Sequence, residues 1–354
     1  MKQNRYSFNV LSRMMLALGV LGGGAWATLQ LLGGVPAPTL PLGQRENLDP
    51  ALTGEPEPNP SPQTFKQVAN VPRGLFSYGG GIAWAPIRRE MTPALQSAWP
   101  EFQLRYTQPP LGAPGSTPAI QMLLKDELAF AQSARGLTEA EFQQAGQRGL
   151  TLRQVPAALD AIVVAAHPDL PLEGLTLLQL RSLYTGKITN WRQIGGPDLP
   201  VIPYSRAIST GGAVEQFQRE ILQGAEFAPS VQTVRDTTQA LRLIAQNPGG
   251  IYYGSGAAII GQCTVKPLAL GRGPESLVAP YVSPRIPPAE CPQRRNPVNQ
   301  TAIRSGDYPF TRRLFVIIKE NGQADEEAGR AFAELALTEQ GQTLIEKAGL
   351  TPLR

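Results

Sequence analysis

Short apolar strands alternate with amphipathic helices over most of the chain after residue 73, and this alternation constrains the fold more than any other feature. Residues 75–78 form a strand pattern that runs into a glycine-rich turn, and residues 159–166 form an apolar run typical of a buried strand. Leucines three residues apart between 177 and 183 mark an amphipathic helix. Since helical crossovers join parallel strands, we expect an α/β fold with mixed, mostly parallel sheets and helices on both faces.

Capping patterns predict where several helices begin. Thr92-Pro93 places a capping residue before a proline, which predicts a helix start at residue 93. Pro118 is expected to open another helix, and Thr138 with Glu141 forms a capping-box pattern for a third. Residues 313–319 are expected to form a late strand.

A strand, a loop of hydroxyl and glycine residues and a helix follow one another between residues 201 and 221. The strand reaches Arg206, the loop reads Ser209-Thr210-Gly211-Gly212, and apolar residues at helical spacing begin at Val214. Backbone N–H groups converge at such a junction, at the positive end of a helix dipole. The pattern therefore predicts an anion-binding loop.

The N-terminal fifth of the sequence differs in composition from the rest. Residues 14–33 are apolar and free of charge, and cations precede them, so residues 1–33 are expected to be either a membrane anchor or a cleaved signal peptide. Residues 34–73 contain many prolines and are expected to form an extended linker. Either reading places the remainder outside the cytoplasm, in the periplasm or an equivalent extracytoplasmic space.

Export makes the two cysteines interpretable. Cys263 and Cys291 are the only cysteines of the chain, and two lone cysteines in an oxidising compartment favour a disulfide. The single histidine and the lack of clustered ligands argue against a metal site, and we expect no cofactor.

Composition and motifs also argue against several function classes. The formal net charge is only +4, and the basic residues occur in short pairs such as Arg312-Arg313, which are read as solvated surface charge. The sequence has no basic stripe with interleaved aromatic residues, so nucleic-acid binding is not predicted. No nucleophile elbow accompanies the histidine and no phosphate-binding P-loop motif occurs, so an enzyme is not expected.

The stretch LTLLQLRSLYTGKITNWRQIGG, from residue 175 to 196, closely resembles a recurrent string of the phosphate-binding proteins of bacterial ABC importers. The resemblance extends over residues 74–354. It implies a two-lobed type II periplasmic-binding-protein fold with a ligand cleft between the lobes. Lobe 1 would comprise residues 74–160 and 310–354, and lobe 2 residues 161–309. Residues 159–166 and 313–319 would pair as crossover strands at the hinge.

The same resemblance implies a function and a site. The protein would capture phosphate or a related oxyanion and deliver it to an ABC permease. If the apolar run at residues 14–33 is an anchor rather than a cleaved signal, this N-terminal helix would hold it to the membrane. Four loops would supply the ligand-binding residues. The implied ligand-binding residues are Gly80, Gly81, Ile82, Ser116, Thr117, Ser133, Arg135, Arg206, Thr210, Gly211, Gly212 and Ala213.

Four positions depart from the family pattern. Gly81, Ile82, Ala134 and Ala213 stand where relatives carry hydroxyl residues. Each lost hydroxyl removes a hydrogen bond to a charged ligand worth roughly 1.5–3 kcal/mol. A binding or sensor protein of the same fold for a different polar ligand, or a membrane-tethered scaffold with a decayed site, therefore remains an alternative.

Overall fold

The computed structural model describes residues 62–208, 212–291 and 293–354, which form a sheet of ten strands with helices packed on it. The strands are β1 (Gly74–Gly80), β2 (Phe102–Tyr106), β3 (Phe130–Ser133), β4 (Thr151–Ala166), β5 (Gly174–Thr176), β6 (Ile202–Arg206), β7 (Gln232–Val234), β8 (Gly250–Ser255), β9 (Lys266–Gly271) and β10 (Thr311–Glu320). The helices are α1 (Ala85–Ala98), α2 (Ser116–Leu124), α3 (Glu139–Gln147), α4 (Leu177–Tyr184), α5 (Ala213–Phe217), α6 (Thr237–Gln246), α7 (Gly256–Ile259), α8 (Gln300–Ser305), α9 (Ala324–Leu337) and α10 (Glu339–Lys347).

The sheet mixes parallel and antiparallel pairs around one long strand. β1 pairs in parallel with β2 and β3, and β6 pairs in parallel with β7 and β8. β4 runs antiparallel to β10 through its first part, up to Ala161 opposite Thr311. From Ile162 onwards β4 pairs instead with β8 and β9. β4 therefore passes from one half of the sheet to the other.

The buried apolar side chains form two main clusters and a smaller third. The first contains the second part of β4 with residues between 161 and 310, including the fully buried Trp191 and Tyr184. The second contains β1, β10 and the C-terminal helices, with Trp84 and Phe130 at its centre. Ile120 and Leu123 of α2 belong to the third, on the opposite face of the same strands. The place where β4 changes its partner strand from β10 to β8 therefore coincides with the boundary between the second cluster and the first.

Two predicted helix starts differ from the structure. The helix expected to open at Pro118 begins at Ser116. The helix predicted to begin at Pro93 begins at Ala85, with Pro86 in its first turn and Pro93 in its interior, so that start is wrong. Leu95 still accepts the backbone hydrogen bond of Trp99, and the helix continues through the proline. The α3 capping box and the late strand β10 are confirmed.

The packed body extends upstream of Gly74. Phe65 and Val68 are 0% and 2% exposed and belong to the second core. The backbone N–H of Phe65 donates to Gln340 Oε1 at 2.9 Å, and the Trp99 indole donates to the Phe65 carbonyl at 2.8 Å. Residues 65–68, which lie within the segment read as linker, therefore pack against the body.

Two further predictions concern the N-terminal apolar run and the two cysteines. The apolar run at residues 14–33 lies outside the described residues, as do residues 34–61. Within the described ranges, no helix has the length and apolar character that crossing a membrane requires. The structure joins Cys263 and Cys291 in a disulfide, with Cα atoms 5.6 Å apart.

Candidate functional site

A cleft of about 800 Å³ opens where strand ends from both halves of the sheet meet. Its border is formed by the N-terminal ends of α1, α2, α5, α6 and α7. α1 follows β1, and α7 follows β8. α2, α5 and α6 each follow a strand through a loop, so the chain repeatedly turns from strand to helix at the cleft. Backbone N–H groups at helix starts carry partial positive charge, which favours an anionic ligand.

The charged side chains at the cleft are all cationic among the lining residues that the structure describes. Arg89, Arg206, Arg242 and Arg312 lie in the lining, and none of the lining side chains carries a carboxylate. Arg89 is highly exposed and pairs with Glu90 at 3.1 Å, so solvent and this carboxylate screen its charge. Arg312, in contrast, is buried.

Arg312 lies on β10 directly opposite Asp160 of β4. Its Nε and Nη2 donate to Asp160 Oδ2 at 3.0 and 2.7 Å, and the two side chains are 6% and 1% exposed. Ser255 of β8 donates to the other carboxylate oxygen, Oδ1, at 2.8 Å. The network lies where β4 stops pairing with β10 and begins to pair with β8, so it joins strands of both cores.

One guanidinium nitrogen of Arg312 is left without a partner. Within the described part of the chain, its buried Nη1 makes no hydrogen bond. A buried donor without an acceptor costs roughly 1–3 kcal/mol, and more when it is charged. Because Arg312 also lines the cleft, a bound anion would supply the missing acceptor.

Arg206 approaches the same place from β6. A Cβ atom placed on Gly212 would lie 3.7 Å from Arg206 Nη2 and 3.9 Å from Arg312 Nη1. Gly212 has φ +67° and ψ −121°, a conformation that glycine adopts readily and other residues do not. The turn before α5 thus lies beside two converging guanidinium groups.

Tyr252 supports the Arg206 side of the cleft. Its hydroxyl lies 3.0 Å from Thr237 Oγ1, and both residues line the cleft. Burial raises the pKa of the Tyr252 hydroxyl, although hydrogen bonds with Thr237 and Arg206 oppose this shift. The tyrosine therefore stays neutral near pH 7.

The structure brings together half of the residues predicted for the site. Of the predicted residues, those in the cleft lining are Gly81, Ile82, Ser116, Arg206, Gly212 and Ala213. Ala134, where a hydroxyl was noted as missing, is also in the lining. Thr210 and Gly211 lie outside the described residues.

The remaining predicted residues, Gly80, Thr117, Ser133 and Arg135, are not among the residues that line the cleft. Gly80 packs against β3, where a Cβ atom would come 2.5 Å from the Gln132 carbonyl oxygen. Ser133 is fully buried, and its Oγ donates to the Arg135 carbonyl at 2.6 Å. Thr117 Oγ1 accepts a hydrogen bond from Arg135 Nη2 at 2.7 Å.

Arg135 lines a second cavity of about 260 Å³, which shares Ser116 and Arg312 with the cleft. Its guanidinium donates to both carboxylate oxygens of Glu141, at 2.9 and 2.8 Å. Burial raises the pKa of Glu141, but hydrogen bonds from Arg135 and Thr138 outweigh it and hold that pKa below its ordinary value. The Arg135 charge is thus compensated within the protein.

Arg312 is the residue that sequence reasoning set aside. It was read with Arg313 as a solvated pair, yet Arg312 is buried and Arg313 is exposed. Strand alternation sends the two side chains to opposite faces, and the expected strand at 313–319 needed only to begin two residues earlier. Asp160, next to the expected strand 159–166, is the matching buried acid, but its partner is distant in sequence.

The fold and this cleft define the class of the protein. Its architecture is that of the two-lobed type II periplasmic-binding proteins, which place a ligand cleft between their lobes. The chain belongs to the periplasmic-binding-protein superfamily, since the family model described as "PBP superfamily domain" matches residues 80–340.

Several proteins that this chain resembles are named as phosphate-binding proteins or phosphate transport receptors. The phosphate-binding protein PstS of Pseudomonas aeruginosa is 25% identical over 257 residues, which cover 68% of this chain and 73% of that protein. Protein SphX of Synechococcus elongatus is 23% identical over 296 residues, which cover 81% of this chain and 80% of that protein. The crystal structure of an ABC-type phosphate transport receptor from Vibrio cholerae shares the fold, with a TM-score of 0.60, 20% identity, and coverage of 78% of this chain and 99% of that one.

Proposed function

We propose that this protein is the substrate-binding component of an ABC importer and captures phosphate or a related oxyanion in the cleft. The observation that carries the proposal is the buried Nη1 of Arg312, a charged donor near Arg206 that has no acceptor among the residues that the structure describes. Charge-assisted hydrogen bonds from guanidinium groups to oxyanions are short and strong. The named phosphate-binding relatives support the same ligand class.

The electrostatics of the cleft favour an anion over a cation or a neutral solute. Asp160 neutralises one guanidinium from behind, and the described side chains that line the cleft include arginines but no carboxylate. Helix N-termini around the cleft add to this field without side-chain charge. No cluster of metal-ligating side chains occurs among the described residues, so the anion would be held by the protein alone.

The two main cores suggest how the protein would hold its ligand. We assign the second core to lobe 1, residues 74–160 and 310–354, and the first core to lobe 2, residues 161–309. β4 and β10 would then form the hinge, with Asp160 and Arg312 at its centre. Delivery to a permease, and anchoring by the segment at residues 1–33 on the outer side of the cytoplasmic membrane, complete the proposed role.

Isothermal titration of the protein with phosphate, sulfate and molybdate tests the proposal. Saturable binding of one of these anions is expected, and Arg206→Ala should weaken it at least tenfold, since a charge-assisted hydrogen bond contributes about 1.5–3 kcal/mol. Arg153→Ala is the control: this arginine of β4 is half-exposed and lines neither cavity, so its loss should leave affinity unchanged. No heat of binding with any of the three would favour a different ligand or a decayed site.

A further inference from the structure

The second cavity adjoins the cleft and has polar groups that the cleft itself lacks. Four described residues line both spaces: Ser116, Ala134, Gly212 and Arg312. An anion held by Arg312 at this shared wall therefore meets the cleft on one side and the second cavity on the other. The side chains of the second cavity are then in a position to distinguish one oxyanion from another.

Three of the residues that line the second cavity carry a buried polar atom without a hydrogen-bond partner. Within the described part of the chain, these atoms are Arg312 Nη1, Arg135 Nε and Gln216 Oε1. The first two are charged donors, and the third is an uncharged acceptor. Buried polar groups are nearly always paired in folded proteins. Three unpaired groups on one cavity therefore indicate a ligand that offers both acceptors and a donor.

The orientation of the Gln216 side chain is fixed by two hydrogen bonds. Its Nε2 donates to the Thr311 carbonyl at 2.9 Å and to Glu220 Oε2 at 3.1 Å. Both partners are oxygens that accept and do not donate, so the amide nitrogen, rather than the amide oxygen, must face them. Because Gln216 is only 5% exposed, its Oε1 is a buried acceptor that points away from both partners.

Two carboxylates also line the second cavity, but both are accessible to water. Glu215 Oε1 lies 3.8 Å from Arg135 Nε, and the Glu215 side chain is 45% exposed. Glu220 accepts from Arg219 at 3.0 Å as well as from Gln216, and its side chain is 41% exposed. Water and these cations satisfy the two carboxylates, whereas Gln216 Oε1 is shielded from water. Gln216 is therefore the acceptor that gains most from a ligand donor.

Tetrahedral oxyanions differ in whether they carry a proton. Near neutral pH hydrogenphosphate has one P–OH donor and three oxygens that only accept, whereas sulfate has four oxygens that only accept. Guanidinium donors attract both anions. A buried acceptor stabilises hydrogenphosphate through the P–OH group, but it repels a sulfate oxygen in the same position. A polar group left unpaired by the wrong ligand is an effective source of discrimination.

We infer that Gln216 makes the site selective for hydrogenphosphate over sulfate. Gln216 Oε1 accepts the P–OH hydrogen bond, while Arg312 donates to another oxygen of the same anion. The inference rests on the proposed function, because it takes the wall shared by the cleft and the second cavity as the anion site. It specifies the protonation state of the anion and the residue that recognises it.

Titration calorimetry of the full-length protein with three dianions tests the inference. The probes are orthophosphate above neutral pH, sulfate, and monofluorophosphate, in which fluorine replaces the P–OH group at unchanged charge. We expect orthophosphate to bind at least about tenfold more tightly than either of the others, since each lacks the donor. Sulfate or monofluorophosphate binding as tightly as orthophosphate would overturn the inference and leave the proposed function intact. The absence of binding by all three would overturn both.

Gln216→Leu removes the acceptor and tests the residue itself. Its affinity for orthophosphate should fall at least about tenfold, with no loss of affinity for sulfate or monofluorophosphate. Gln218→Leu is the matched control, since Gln218 is a half-buried glutamine of the next turn that lines neither cavity. Equal weakening of all three anions by Gln216→Leu would show a structural role only and would contradict the assignment. Monofluorophosphate on the unmodified protein decides the inference even if this variant does not fold.

Glu215→Gln distinguishes the amide from the neighbouring carboxylate. Loss of this negative charge should tighten orthophosphate and sulfate to the same extent, so the ratio of their affinities should not change. A loss of selectivity in Glu215→Gln, together with unchanged selectivity in Gln216→Leu, would assign the acceptor to Glu215 and overturn the inference.

Discussion

At the scale of single residues, the proposed anion site depends most on Arg312, which lines both the cleft and the adjoining cavity. Its guanidinium is divided between Asp160, which takes Nε and Nη2, and the cleft, towards which Nη1 is left without a partner among the described residues. Asp160 fixes the orientation of the guanidinium plane, so little side-chain entropy remains to be lost when an anion binds. A pre-oriented donor of this kind gains more from a ligand than a mobile surface arginine does.

The hydroxyls that are missing at residues 81 and 82 can be restored by substitution. Gly81 has φ −75°, and a Cβ atom there would meet its nearest neighbour at 3.7 Å, so serine fits without strain. Ile82 is exposed, so threonine there costs little stability. The double variant Gly81→Ser/Ile82→Thr should bind orthophosphate up to about a hundredfold more tightly, at about 1.4 kcal/mol for each recovered hydrogen bond.

Titration calorimetry of the double variant against the parent checks this expectation, with circular dichroism to confirm the fold. Adding Arg206→Ala to the double variant should abolish the gain, because the new hydroxyls act on an anion that the arginine holds. A folded double variant that binds no better than the parent would show that these two positions do not face the anion.

At the scale of elements, the start of α3 is tied to Arg135. Thr138 accepts from the Glu141 backbone N–H and Glu141 accepts from the Thr138 backbone N–H, which forms the capping box. Glu141 also receives both hydrogen bonds of the Arg135 fork, and its side chain is 6% exposed. One carboxylate therefore caps the helix and compensates the arginine, which fixes the loop between β3 and α3 beside the cleft.

Glu141→Gln should lower the free energy of unfolding by about 2 kcal/mol at pH 7, since it removes a charged acceptor from a largely buried pair. The folded protein holds the Glu141 pKa below its ordinary value, so the ionised carboxylate stabilises the fold above about pH 4.3. This contribution is lost as pH falls through the lowered pKa, and the variant and parent should then converge.

Urea denaturation between pH 3 and pH 7 measures this convergence. Glu139→Gln, in the same helical turn but exposed, should change stability by only about 0.3 kcal/mol and serves as the control. A difference between Glu141→Gln and the parent that stays constant across this pH range would contradict the pairing of Glu141 with Arg135.

Sequence reasoning located most elements but not all of their ends. The α3 capping box was predicted because its signal is local: two side chains three residues apart. The start of α1 was misplaced because Thr92-Pro93 and Pro86 both carry start signals, and only packing decides between them. Arg312 was missed because its burial depends on Asp160, which lies 152 residues away in the chain. Local patterns predict elements, whereas burial of a charge depends on which strands become neighbours.

At the scale of the whole molecule, two cores are joined by the strands β4 and β10, and the disulfide lies in the part of the chain that supplies the first core. Cys263 lies between α7 and β9, and Cys291 lies between β9 and α8, so the bridge closes a segment that contains β9, across a separation of 28 residues. In the chain-entropy model a loop of this size contributes on the order of 3 kcal/mol.

Replacing both cysteines by serine should therefore lower the free energy of unfolding by about 3 kcal/mol, which thermal and urea denaturation would measure. A reductant should destabilise the parent by a similar amount and leave the double variant unaffected. Equal sensitivity of both proteins to the reductant would contradict a role for this bridge in stability.

The packed body of the protein includes residues upstream of β1, and this defines the shortest stable form to express. Phe65 is fully buried in the second core, where its backbone is held by Gln340 and Trp99. Phe65→Ala should cost about 3–5 kcal/mol, because it leaves a cavity that the surrounding helices only partly fill. Lys66→Ala, at the exposed neighbouring position, should change stability by less than about 0.5 kcal/mol.

The same contacts predict the outcome of truncation. A protein that begins at residue 62 should retain the stability of the full chain, whereas one that begins at residue 70 loses Phe65 and Val68 and should unfold at a lower urea concentration. The deficit should match that of Phe65→Ala or exceed it, since Val68 and the two backbone hydrogen bonds are removed as well. If both truncated proteins unfold at the same midpoint, residues 65–68 do not pack on the body, and the stable unit begins at β1.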